Sequence, residues 1–210
     1  MTVLPRRPFL ALLGTAPLAA GCAATGLIAR TPPRIFRLDA ARALDEGLPK
    51  VDAVLLIETP TAVAGLNSAR VALKPEPSTL DFYADALWVD VVPVMVQQLV
   101  GETLAFSDKV GIVGPADATG GQRPTHALNT YVLDFQAVYD EGTSSPPLVD
   151  LHLGLRLLAF PRREQVALTE LRERERAGGT SLDEVIAAFD RAADHLLAEL
   201  ASWVLRSLAA

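Results

Sequence analysis

Two long runs of alternating side chains in the second half of the chain leave it little choice of fold. From Tyr131 the odd positions read Tyr131, Leu133, Phe135, Ala137 and Tyr139, with Asp134, Gln136 and Asp140 on the other parity. From Val149 they read Val149, Leu151, Leu153, Leu155, Leu157 and Ala159, with Asp150, His152 and Arg156 opposite. Side chains of a strand alternate between two faces, so a period of two predicts strands with one face in a core and one in water. The segment between them, Asp-Glu-Gly-Thr-Ser-Ser-Pro-Pro, is turn chemistry, which makes the pair a hairpin. Val166 to Arg176 alternates as well and is stopped by Gly178-Gly179, which predicts a third antiparallel strand.

A long helix follows the third strand. Ser181 and Glu184 have the spacing of a capping box, in which each side chain bonds the other residue's backbone N–H. Val185, Ile186, Phe189, Ala193, Leu196, Leu197, Leu200, Trp203, Val204 and Leu208 recur mostly at steps of three and four, the period of an amphipathic helix lying on a sheet.

Upstream, Ile35 to Leu38, Val51 to Glu58 and Ala69 to Leu73 read as strands, the second apolar enough to be buried on both faces. Pro60 to Asn67 reads as a short helical turn. Leu80 to Asp90 carries Phe82, Tyr83 and Trp88 and leads into a helix with Pro93 in its first turn, where the missing N–H costs little. Val110 to Gly114 is a short strand, and the Gly/Asp/Thr loop from Pro115 to Thr125 is the most mobile inner segment expected. The predicted fold is a single α/β domain, a mixed and largely antiparallel sheet flanked by helices, with the amphipathic helix at its C-terminus.

Composition narrows the function. With 210 residues, half of them apolar, the chain can bury one ordinary core. Its 19 basic and 25 acidic residues give a formal charge of −6, and the basic ones are scattered, which disfavours nucleic acid as a partner. The lone Cys22 excludes an internal disulfide or a cysteine-based zinc site.

Cys22 finds its explanation in the N-terminus. Arg6 and Arg7 form a basic n-region, Phe9 to Ala20 a short apolar stretch, and small residues precede the cysteine, the pattern of an export signal over residues 1–21. At about 12 residues the stretch cannot span a bilayer, which takes about 20. Leu18-Ala19-Ala20-Gly21-Cys22 resembles a bacterial lipobox, with Ala19 in place of the commoner Leu, and implies cleavage before Cys22 and lipidation of its thiol. An ordinary cleaved signal with an incidental cysteine is the alternative. Arg6-Arg7-Pro8-Phe9-Leu10 resembles a twin-arginine motif, which leaves that route open beside the general secretory one. Cleavage would leave 17 basic against 25 acidic residues, a formal charge of −8. Ala23, where an Asp would retain a lipoprotein at the inner membrane, favours the outer membrane. Residues 22–34, small and ending in Pro32-Pro33-Arg34, suit a tether to a domain over 35–210.

Chemistry is sparse. His126, His152 and His195 lie far apart, with no spacing that puts two imidazoles on one metal, so no metal or other cofactor is expected. Neither a nucleophile elbow nor a phosphate-binding loop is present. The carboxylate pairs Asp81/Asp85 and Asp183/Glu184 read as residues placed near helix starts. The aromatic segment Asp81 to Trp88 is of a kind enriched in contact surfaces, the plainer reading being that its rings are core.

Leu56-Ile57-Glu58-Thr59-Pro60, then Gly65 to Ala72, then Leu80-Asp81-Phe82-Tyr83 and Leu87-Trp88-Val89-Asp90 before a Pro-bearing helix, with Ala188-Phe189-Asp190 and Trp203-Val204 near the end, resemble the ABC-type transport auxiliary lipoproteins. These are the lipoprotein partners of MCE-domain transporters such as the Pqi system. Leu87 stands where the family pattern usually has Arg, and Phe82-Tyr83 where it has its paired aromatic. The resemblance implies a non-enzymatic periplasmic domain anchored through Cys22 that works with an ABC permease and ATPase and an MCE protein in lipid transport. It makes Arg70, Tyr83 and Trp88 candidate contacts to partner or lipid, and leaves homo-oligomerisation open. A stand-alone lipid carrier, with a dry pocket of several hundred Å³ lined from the Trp88 segment and the Leu197 helix face, is the rival reading. A periplasmic hydrolase with a site assembled from distant residues is the third.

Overall fold

The computed structural model describes residues 32–114 and 123–210; Cys22, the expected signal and most of the expected tether, and most of the loop from Pro115 to Thr125, lie outside them. The chain from Pro32 to Ala210 forms one compact unit. Its spine is the predicted hairpin: β7 (His126–Val138) pairs antiparallel along its whole length with β8 (Leu148–Ala159), which pairs likewise with β9 (Glu164–Arg176).

The other edge of β7 is shared. Running parallel to it, β2 (Val54–Ile57) docks at His126 to Leu128, the two-residue β3 (Thr61–Ala62) at Tyr131 and Val132, and β4 (Arg70–Lys74) at Gln136 to Val138. Outside them lie β6 (Gly111–Val113) along β2, β5 (Asp81–Trp88) along β4, and β1 (Arg34–Phe36) along β5. The long pairings are antiparallel and the short ones mostly parallel, and the nine strands curl into a half-barrel.

Helices α1 (Val92–Ser107) and α2 (Leu182–Ala209) pack against each other and cover one face of this sheet. The capping box is formed: Glu184 N–H donates to Ser181 Oγ, and Ser181 N–H donates back to the Glu184 carboxylate. Gln97 on α1 donates to the Ile57 carbonyl at 2.8 Å, tying the helix to β2. The segment 37–53 has no regular structure yet is held by Leu38 and Ala41, both wholly buried, and by Ala41 N–H donating to Thr103 Oγ1 at 3.2 Å.

Several expectations change in detail. The predicted turn from Pro60 to Asn67 divides into β3 and a single 3₁₀ turn (Ala64–Leu66). The apolar run of β2 is not buried on both faces: Leu55 and Ile57 are, while Val54 and Leu56 are half-exposed, because both helices lie on one side of the sheet. Asp81 and Asp85 sit on a strand, so no helix start brings them together. At Asp85 the backbone turns left-handed (φ 53°) and β5 bulges, with Ala72 paired to Phe82 but Arg70 already paired to Leu87.

The alternation of β7 also breaks. Val132 pairs with Leu153 and Asp134 with His152, so Leu133 is an extra residue, a β-bulge that exchanges the parity of the strand. Leu128, Thr130 and Val132 face the core before it, Phe135 and Ala137 after it. Tyr131, read from sequence as part of the inward set, is exposed on the outer face, and Leu133 is only half-buried.

Candidate functional site

The residues nominated from sequence do not share one place. Trp88 is 2% exposed, stacked edge-on against Phe189 (5.1 Å between centroids) and Phe135 (5.9 Å) in the middle of the core. In this domain its ring holds β5 to α2 and β7 and presents no surface to a partner. Tyr83 is half-buried, its hydroxyl 2.9 Å from that of Tyr139, and burial, followed by that hydrogen bond, pushes its ionisation far above the ordinary range. It is a neutral phenol at any physiological pH. Arg70 is exposed, with its guanidinium 3.9 Å over the Phe82 ring. Arg70 and Tyr83 therefore frame the β4–β5 ribbon, while Trp88 belongs beneath it.

Among the described residues, the Leu197 face of α2 encloses no lipid-sized space. The void between the Leu196 and Leu197 face of α2 and Phe135, Leu151 and Leu153 holds about 10 Å³, too little for an acyl chain, so the expected interior pocket is absent there. The Leu197 face is instead filled by close packing, as protein interiors generally are.

Among the described residues no helix covers the second face of the sheet, and its even-numbered β8 and β9 residues are organised in two parts. Nearer the β7–β8 turn is a charged lattice. Arg172 holds Asp150 through Nε (2.7 Å) and Nη2 (2.5 Å), and Arg174 approaches the same carboxylate at 3.4 Å. Burial alone would raise Asp150, but the hydrogen bonds and charge of Arg172, reinforced by Arg174, hold it below the usual carboxylate range. His152 lies between Asp134 (3.4 Å from Nδ1) and Glu170 (3.0 Å from Nε2).

Farther along β8 the face becomes apolar. Tyr131, Leu133, Gly154, Arg156 and Leu168 line an open groove of about 550 Å³, and Leu133 also borders a second, of about 280 Å³, beneath Val63 and Leu80. Sequence reasoning missed this surface because the Leu133 bulge turns Tyr131 outward, and a bulge leaves little trace in a hydropathy pattern. Gly154 among Asp150, His152 and Arg156 was the available signal: a missing side chain on an otherwise polar face.

At the far end, Glu58 follows β2 and receives a bidentate pair from Arg163 (2.7 and 3.1 Å) together with a hydrogen bond from Asn129. Arg163 takes a left-handed conformation (φ 57°) in the β8–β9 turn. Its hydrogen bond, more than its charge, lowers the Glu58 carboxyl against the opposing effect of burial. The Leu56 to Pro60 motif thus has a structural reading: it clamps the hairpin tip to β2. Among the described residues no cluster of three or more His, Cys, Asp or Glu could hold a metal ion, and no helix is long and apolar enough to cross a membrane.

This architecture, a half-barrel sheet under a long capped C-terminal helix, coincides with a family match. The model of the ABC-type transport auxiliary lipoprotein component matches residues 36–201, from the last residue of β1 into the later turns of α2. The chain belongs to that family. The structure is similar to that of protein XCC0632 from Xanthomonas campestris, at 23% identity over 83% of this chain and 95% of that one, with a TM-score of 0.76. A second crystal structure, of an uncharacterized protein, is similar over 85% and 99% of the two chains at 13% identity and a TM-score of 0.62. At these identities both likenesses concern the fold. No curated protein matches the sequence.

Proposed function

We propose that this lipoprotein is a non-enzymatic accessory component of an MCE-type ABC transporter moving lipids, or similar hydrophobic cargo, between the inner and outer membranes. The family match across residues 36–201 carries the reading. The export signal over residues 1–21 delivers the chain to the periplasm, acyl groups on Cys22 hold it to the outer membrane, and residues 22–34 tether the domain. Its task is position. Cargo handed directly between subunits avoids a transfer through water that costs about 0.8 kcal/mol per CH₂.

Docking, not catalysis, is the proposed task. His152, the histidine set between two carboxylates, has no hydroxyl or thiol nucleophile among its hydrogen-bond partners, and the interior holds no substrate-sized cavity at the α2 face. Arg70 and Tyr83, on the exposed β4–β5 ribbon, are the proposed contacts to the MCE or permease subunits.

The test is a membrane-fraction pulldown of the tagged protein beside Cys22→Ala and Arg70→Ala variants. Permease, ATPase and MCE subunits are expected with the parent. Cys22→Ala should lose the membrane, and Arg70→Ala should keep the membrane and lose partners. Membrane attachment that survives Cys22→Ala refutes the anchor, and a parent that captures no transporter subunit refutes the partnership.

A further inference from the structure

The open face gathers apolar side chains that a solvated sheet has no reason to gather. Val63, Leu80, Tyr131 and Leu168 are each between 38% and 59% exposed, and all four line the two grooves that meet at Leu133. Large exposed apolar residues ordinarily stand singly; here they line two adjoining grooves that make a trough across β7, its Val63 and Leu80 end also bordered by Lys74, Asp134 and Gln136.

At the larger of the two grooves sits a cation with no ion-pair partner among the described residues. Arg163, Arg172 and Arg176 on the same hairpin each hold a carboxylate. Arg156 holds none among the described residues: its guanidinium lies 5.9 Å from the Tyr131 ring centroid, and its Nε is closed off from solvent with no acceptor. Glu170, which borders the same groove, is engaged with His152 at 3.0 Å. A half-buried guanidinium without a carboxylate partner beside an apolar trough is complementary to an anionic head on an aliphatic tail.

We propose that this trough binds a single-chain anionic amphiphile of the fatty-acid type, its carboxylate on Arg156 and its alkyl chain along Leu168, Tyr131 and Leu133 toward Val63 and Leu80. An extended peptide is a poorer occupant. The backbone groups of β7 and β8 are paired on both sides, and the open edge of β9 lies beside the face and not across it, so a strand laid over the trough would gain no main-chain hydrogen bonds. Gly154 forms the floor: a Cβ there would stand 3.6 Å from Tyr131 and 3.7 Å from Leu133, so any longer side chain would occupy the space the alkyl chain needs. The inference is independent of the transporter role, since it holds or fails for the domain alone.

The experiment uses the chain from residue 22 onward with Cys22→Ala, which needs no detergent. Binding of the fluorescent fatty acid cis-parinaric acid is titrated and then competed with dodecanoate, below its micelle concentration, or with uncharged dodecanol. Saturable one-to-one binding is expected. Arg156→Met should weaken dodecanoate about tenfold and dodecanol less than about twofold, because the aliphatic stem is kept and only the charge is lost. Leu168→Asp, an exposed position, should weaken both by about tenfold or more. Should Leu168→Asp fail to fold by circular dichroism, Leu168→Ser takes its place with the same expected direction. Absence of saturable binding, binding of vesicles but not of monomeric fatty acid, or affinities unchanged in both the Arg156 and the position-168 variants would each overturn the proposal.

Discussion

Strand β8 presents two surfaces that differ in nearly every physical respect. Its odd residues, Val149, Leu151, Leu153, Leu155 and Leu157, are at most 2% exposed and belong to one continuous core with α2, where the space left beside Leu151 and Leu153 is about 10 Å³. Its even residues, Asp150, His152, Gly154 and Arg156, face outward into a lattice of ion pairs and a groove of about 550 Å³. One face is closed by packing and leaves nothing to bind; the other is held by charge and leaves a trough. The two demands are separated by nothing more than strand pleat, so changes one residue apart should report on different properties.

The sharpest way to break this contrast is to cut into the closed face. Phe189, in contact with Trp88 and Phe135, is wholly buried, and Phe189→Ala should cost about 3–5 kcal/mol in urea unfolding. Leu168→Ala on the open face should stay within about 0.5 kcal/mol of the parent. Comparable losses at both positions would mean that the open face is a second core and the contrast false.

A smaller effect is expected from the charged lattice. Asp150→Asn removes the negative charge and one of the two oxygens that accept from Arg172, and should cost about 2 kcal/mol at pH 7. Because the folded state holds the Asp150 carboxyl below its unfolded value, its contribution is present above about pH 4 and disappears as pH falls through the folded-state value. The difference between parent and variant should therefore narrow as pH falls below about 4, which a urea series from pH 7 down to pH 3 would show. A gap of the same size at pH 3 as at pH 7 would assign the loss to altered packing instead.

Smallest is the start of α2. Ser181→Ala removes the oxygen that accepts from Glu184 N–H and should lower stability by about 1 kcal/mol, read as a shift in thermal midpoint, with no change in fatty-acid binding. A change in binding there would mean that the two faces communicate.

Much of the closed face was legible in the residue order. The odd positions of β8, the third strand from Val166 to Arg176 and the Ser181 capping box depend on local period and spacing, and the structure has all three. The open face was not. The Leu133 bulge exchanges the parity of β7, and the Asp85 bulge separates residues that a helical reading had placed together, both decided by pairing with strands distant in sequence. Trp88 shows the same divide: its segment announces aromatic surface, yet whether a ring points at Phe189 or at a partner depends on α2, a hundred residues away.

By itself the sequence determined the hairpin and the long C-terminal helix, because strand period, helix period and cap chemistry are local and survive without knowledge of neighbours. Only the tertiary structure decided which face both helices would cover, that β2, β3 and β4 would share one edge of β7, and that Tyr131, Arg156 and Leu168 would meet on the face left open. Those outcomes depend on contacts between segments far apart in the chain, and no local pattern of hydrophobicity encodes which partner a residue will face.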